Sequence, residues 1–133
     1  MDNPTMKKAL ILDLATSLQM DSFKGNILVL FTAGGIISGT PLDNEKCESL
    51  LDKQFSEMSK KDAANEILYS LTKKSKSCYD KEFNVEHPLP GNDGYLTLID
   101  ATVNFGTCTI SVPNINVFFD QIIGATVSPK IGS

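Results

Sequence analysis

The chain has 133 residues, of which 41% are hydrophobic and 21% charged, with a formal net charge of −4. That length and composition suit one globular domain, residues 1–133, and exclude a disordered or fibrous chain. All 12 basic residues are lysines, so the arginine forks that read phosphates and bases bidentately are absent, which counts against a strong nucleic-acid surface.

Residues 3–20 predict one short helix. Thr5 or Asn3 supplies the cap, and Leu10, Leu14 and Leu18, with Ile11 beside them, form its apolar face. The polar face is not basic enough for a membrane-surface helix. Lys7 and Lys8 precede an apolar stretch that Asp13 cuts short, so no secretory leader is expected. No apolar run approaches the ~20 residues that span a bilayer. A cytoplasmic location, with no membrane partner, is the expectation.

Ile27 to Phe31 predict a strand covered on both faces. Ala33, Gly34 and Gly35 make the turn, with glycine expected at positive φ. Ile36 and Ile37 resume the strand, Gly39 permits a sharp bend, and Pro41 ends it. Gly34 to Thr40 mimic part of a phosphate-binding loop. The lysine that should follow Gly39 is missing and Pro41 follows Thr40, so that reading is rejected.

A polar excursion covers residues 44–90. Asn44 is expected to cap a first helix with the stripe Cys47, Leu50, Leu51, Phe55 and Met58. A capping box from Ser59 to Asp62 then opens a second, with Ala63, Ala64, Ile67, Leu68 and Leu71 on its apolar side. Lys73, Lys74 and Lys76 gather at its C-terminus, where they complement the helix dipole or offer an anion-binding patch. Residues 77–90 read as irregular, with a short strand at Phe83 to Val85 and strong punctuation from Pro88, Pro90, Gly91 and Gly94.

Tyr95 to Val103 predict a third strand. A turn at Phe105 and Gly106 follows, and Cys108 to Val112 begin a fourth strand. Pro113 and Asn114 kink it before Ile115 to Phe119. Asp120 and Gln121 connect it tightly to a last strand, Ile122 to Val127. Five short antiparallel strands can bend into a small barrel and hide most of their edges. The fold expectation is therefore α+β, mainly β: a five-stranded, strongly bent small barrel. It carries an N-terminal helix and a two-helix insertion between strands 2 and 3.

Catalytic chemistry finds no support. His87, the one histidine, sits beside Pro88 and completes no Ser-His-Asp, Cys-His or zinc constellation. Cys47, Cys78 and Cys108 are odd in number and widely spaced, which points to small buried hydrophobes in a reducing compartment rather than a disulfide framework. No enzyme activity, cofactor or metal is expected.

The order of these pieces resembles the Sm-like family, which includes Sm, LSm and the bacterial host-factor protein Hfq. Ile27 to Phe31, Gly34-x-x-x-x-Gly39 and Leu42 are similar to the first half of its first motif. The segment from Tyr95 through Leu96, Leu98, Ile99, Asp100 and Ala101 is similar to the Leu-x-Asp-Ala half. Val117 to Val127 resemble the last two strands of the host-factor branch. The resemblance implies a homo-oligomeric ring of six or seven subunits, formed by edge pairing of the last two strands through Ile115, Val117, Phe119, Ile122 and Ile123.

The RNA-reading positions of the family depart here. Tyr95 stands where an Asn is usual, and Asp120 with Gln121 replaces the basic pair. An aspartate there repels phosphate. The expectation is a ring-forming structural or interaction module. The alternative is a divergent RNA-binding protein that uses Tyr95 for base stacking and Lys73, Lys74 and Lys76 for the backbone.

Overall fold

In the computed structural model, residues 3–58, 63–84 and 88–129 are described. The side chains of Asp21, Ala63 and Asn84 fall outside that description. The architecture is α+β, with three helices and one five-stranded antiparallel sheet of order β4-β3-β2-β1-β5. Among the described residues the sheet stays open: β4 pairs only with β3, and β5 only with β1. The chain divides into two compact units, Met1–Pro41 with Pro88–Ser133, and Leu42–His87.

The first unit holds α1 (Met6–Leu18) and the sheet: β1 (Asn26–Thr32), β2 (Gly35–Pro41), β3 (Tyr95–Phe105), β4 (Cys108–Phe118) and β5 (Ile122–Pro129). Thr5 caps α1, its hydroxyl oxygen accepting from Lys8 N at 3.1 Å. The helix lies against β1, β5 and β2. Its buried face is Lys8, Ile11, Leu12 and Ala15, while Leu10 is 54% exposed. The apolar face is thus rotated by one residue from the leucine repeat, because a buried lysine stands in the stripe.

β1 is fully buried on one face only, and on the other Ile27 and Val29 are half-buried. Leu28 and Leu30 are wholly buried, whereas the alternate residue Phe31 is partly exposed. This is the ordinary alternation of a sheet with one packed face, not the two-sided burial expected from the apolar run.

The β1–β2 turn also differs from expectation. Neither Gly34 nor Gly35 has a φ in the left-handed region. Thr32 Oγ1 instead stabilises the turn, accepting from Gly35 N and donating to Gly35 O. Gly35 is required by crowding, because a Cβ there would collide with Asn104 O on β3.

Two bulges shape the sheet. On β3, Asp100 is the extra residue between the pairs Ser38↔Thr102 and Thr40↔Ile99, and it adopts φ 49°. Gly39 lies opposite, where a Cβ would meet Ile99 O at 3.0 Å. On β5, Ile123 is the extra residue between Phe31↔Gly124 and Thr32↔Ile122. A bulge bends and twists its strand locally. Pro113 does not break β4, which runs unbroken through it.

The second unit holds α2 (Asn44–Met58) and α3 (Ala63–Tyr79), which pack together and follow β2 as expected. The break between them and the capping box at Ser59 to Asp62 lie outside the described residues. Asp43, not Asn44, caps α2, its Oδ1 accepting from Lys46 N at 2.8 Å.

The apolar stripes expected of these helices hold only in part. Cys47 and Gln54 are the buried residues of α2, while Phe55 is 63% exposed. On α3 the buried residues are Thr72, Ser75 and Tyr79, and Ile67 is 68% exposed. Hydroxyls hide in a helix by back-bonding to the preceding turn: Thr72 donates to Leu68 O and Ser75 to Leu71 O.

Residues 77–84 are helical rather than irregular. α3 continues to Tyr79 and passes into a π-helical turn at Asp80–Asn84. Phe83 belongs to that turn and stacks at 4.8 Å from Tyr79, so no strand starts there. Val85 lies outside the described residues.

Candidate functional site

Two features of the first unit offer themselves for interaction: the sheet edges and the loop that leads into β3. β4 and β5 are the edges, and neither contains an Asp, Glu, Lys or Arg. Edge strands are usually guarded by charge, because their free N–H and C=O groups template further pairing. Pro113 and Pro129 are the only such guards in these strands.

The edge residues named from the sequence divide into two groups. Val117, Phe119 and Ile122 point into the core, with Phe119 and Ile122 wholly buried, and Ile115 is half-buried. Their backbones lie at or beside the edges, but their side chains are spent on packing. Ile123 is 71% exposed, because the β5 bulge throws it outward. Phe118, Ile110 and Val127 are also exposed on these strands. Alternation from Val117 and Ile115 predicts that Phe118 faces away from the core; the apolar character of the segment concealed that.

Tyr95 opens β3 and lies directly across from Phe118 in the β3–β4 register. Their rings meet edge to face, 5.3 Å between centroids. Tyr95 is half-buried and Phe118 is 53% exposed, so one aromatic surface is presented at this corner.

The loop before Tyr95 is held from three sides. Pro4 and Gly91 form a parallel bridge, with Thr5 N donating to Gly91 O and Gly91 N donating to Asn3 O. The Thr5 hydroxyl donates to Asn92 Oδ1. Phe119 N donates to Gly94 O at 3.3 Å.

Lys8 completes the clasp. Its ammonium is wholly buried and donates to Leu89 O at 2.8 Å and to Asp93 O at 2.7 Å. It also lies 4.9 Å from the centre of the Phe119 ring. Buried charges survive only when hydrogen-bonded in this way. No signal in the residue pattern marks this role, since Lys8 looks like one half of an exposed dilysine.

The aromatic corner is flanked in the chain by two acidic residues. Asp93 and Asp120 are exposed close by in sequence, while the Lys8 charge is already engaged. Lys73, Lys74 and Lys76, named as a basic patch, do separate things on α3. Lys73 sits 5.2 Å over the Tyr69 ring, Lys76 pairs with Asp80, and Lys74 lines a shallow groove with Glu66, Ile67, Ser70 and Leu71.

The cysteines are free. Burial pushes the Cys47 thiol up, an effect that outweighs the nearby Lys76 ammonium. The desolvated thiol is a poor nucleophile. Cys108 is exposed and departs from the expectation of burial. Among the described residues, no cluster of His, Cys, Asp and Glu could hold a metal ion, and His87 lies outside them. No helix among the described residues is long and apolar enough to cross a membrane.

No family model, curated protein or solved structure matches this chain.

Proposed function

We propose that the protein is an Sm-like module of the strongly bent, small-barrel type that assembles with copies of itself into a ring. Six or seven subunits would join through β4 of one copy and β5 of the next, and the ring serves as a scaffold rather than an enzyme. One observation carries this reading: the sheet has two free edges without charge, both dressed with exposed apolar side chains. Antiparallel addition of β5 to a neighbouring β4 satisfies both rows of backbone groups and covers Ile123 and Phe118. Five strands in one open sheet, an N-terminal helix lying on it and the Leu-x-Asp-Ala segment bent at Asp100 all support the same reading.

The test is light scattering across a concentration series, with Ile123→Lys as the disrupting variant. Ile123 is exposed, so the substitution spares the fold while placing a charge on the pairing edge. Wild type should form a species of six or seven subunits and Ile123→Lys should not. A wild type that forms nothing of ring size at high concentration removes the ring reading.

A second reading, RNA binding, is favoured by the Tyr95–Phe118 corner, since base stacking on an aromatic face contributes about 1–3 kcal/mol per base. The acidic neighbours and dispersed lysines weigh against it. Titration with a uridine-rich oligonucleotide separates the two. Salt-sensitive binding lost in Tyr95→Ala and Phe118→Ala supports RNA recognition, and no binding at low salt eliminates it.

A further inference from the structure

We propose that α3 carries a second self-association surface: two copies pair their α3 helices antiparallel across a two-fold axis at Ser70. The surface belongs to the helical unit and uses no sheet edge, so it stands independently of the ring reading.

The groove of about 360 Å³ on α3 is lined by Glu66, Ile67, Ser70, Leu71 and Lys74. Glu66, Ser70 and Lys74 follow one another at four-residue steps and share one helix face. All three are exposed, and Ile67 beside them is 68% exposed. Glu66 and Lys74 have no ion-pair partner among the described residues, while the neighbouring Lys73 and Lys76 are engaged with Tyr69 and Asp80. The face is therefore apolar in its middle, with an unused anion at one end and an unused cation at the other.

That arrangement dictates what fits. A partner helix must present a cation opposite Glu66, something small at the crossing point and an anion opposite Lys74. The same segment running antiparallel does this. Ser70 is midway between the two charges, so rotation about it places Glu66 of each copy on Lys74 of the other. The charges stand about 6 Å either side of the axis, from 1.5 Å of rise per residue. The seam Ile67, Ser70, Lys74 and Ser77 keeps the alternating three- and four-residue steps of an antiparallel helix pair. The small side chain of Ser70 lets the helices approach. The stem of Lys74 can cover Ile67 of the other copy while its ammonium reaches Glu66. A face this small makes a weak, salt-sensitive dimer.

The test uses the full chain carrying Ile123→Lys, so that edge assembly does not mask the helix contact. Sedimentation at low salt should show a concentration-dependent dimer that weakens as salt is added. Lys74→Glu alone and Glu66→Lys alone should each raise the dissociation constant about tenfold or more, since each creates two like-charge contacts. Mixed in equal amounts, these two variants should pair with each other, because one then carries both anions and the other both cations. The double swap Glu66→Lys, Lys74→Glu should restore the self-dimer. With Cys78→Ser and Cys108→Ser in place, Ser70→Cys should link to itself under mild oxidation. The proposal is overturned by absence of a dimer, by single variants that associate as well as the parent, by a mixture that does not pair, or by a dimer in which Ser70→Cys fails to self-link.

Discussion

Replacing Lys8 by methionine removes an ammonium while keeping most of the side-chain volume. Among the described residues, the carbonyls that Lys8 serves are Leu89 O and Asp93 O, which belong to the backbone and cannot be substituted away. Each loses a hydrogen bond to a charged group, worth about 1.5–3 kcal/mol. The contact with the Phe119 ring goes as well, about 1 kcal/mol. Against this, methionine carries no charge to desolvate, which offsets part of the loss. The expected net destabilisation is about 2–4 kcal/mol, a large share of the roughly 5–15 kcal/mol of a typical domain. Urea unfolding at neutral pH measures it directly, and hydrogen exchange at Asp93 and Phe119 reports the loop. These amides donate to Pro90 O and Gly94 O and should lose protection first. A loss below about 1 kcal/mol with unchanged exchange would show that the clasp is held by the Gly91 bridge and Thr5 alone, and would refute the role given to Lys8.

Gly35→Ala should cost about 2–3 kcal/mol in thermal or urea unfolding, because its Cβ collides with the β3 backbone at Asn104. Gly34→Ala, with nothing within 4 Å of a Cβ, should stay within about 0.5 kcal/mol. At Asp100, exposed and at φ 49°, a change to glycine should leave stability equal or higher, whereas valine should lower it by about 1–2 kcal/mol. A disulfide reagent near neutral pH should label exposed Cys108 well before buried Cys47. Because the folded Cys47 thiol ionises at higher pH than the unfolded one, the unfolded chain loses its proton first. Stability should therefore fall as pH rises above about 9, and Cys47→Ala should flatten that fall in pH-dependent denaturation.

The strands were legible because each carries β-branched and apolar residues between glycine, proline or turn signals. Their limits agree with expectation to within a few residues, and so does their order along the chain. The helix faces were not legible, for one physical reason in two forms. Hydropathy ranks Lys8 and Thr72 as surface residues, yet each is buried with its polar atom satisfied by a backbone carbonyl. Ile67 and Phe55 rank as core and are exposed. A pattern of residue types records transfer preference, not whether a carbonyl waits inside. The glycines failed differently. Gly34 and Gly35 read as conformational choices, while Gly35 is a matter of space that only the neighbouring strand reveals.

Gly39 and Pro113 each looked like a local irregularity in its own strand, and Asp100 lies between them. In the sheet they fall in one row: Gly39 opposes the Asp100 bulge on one side, and Pro113 stands opposite Asp100 on the other. Each tolerates a bend for its own reason: Gly39 has no Cβ, aspartate accepts positive φ, and proline gives up a ladder bond. The row also divides the core. On the side toward the clasped loop, Pro41, Leu96, Leu98 and Val117 are buried. Toward the Gly106 turn, Ile36, Phe105 and Ile110 are exposed. In β2, β3 and β4 the bend is thus where large apolar side chains pass from packed interior toward exposed surface, whereas Leu30 and Ile122 stay buried beyond it. The alternation of residue types is the same on both sides, so only the pairing of three strands makes that boundary visible.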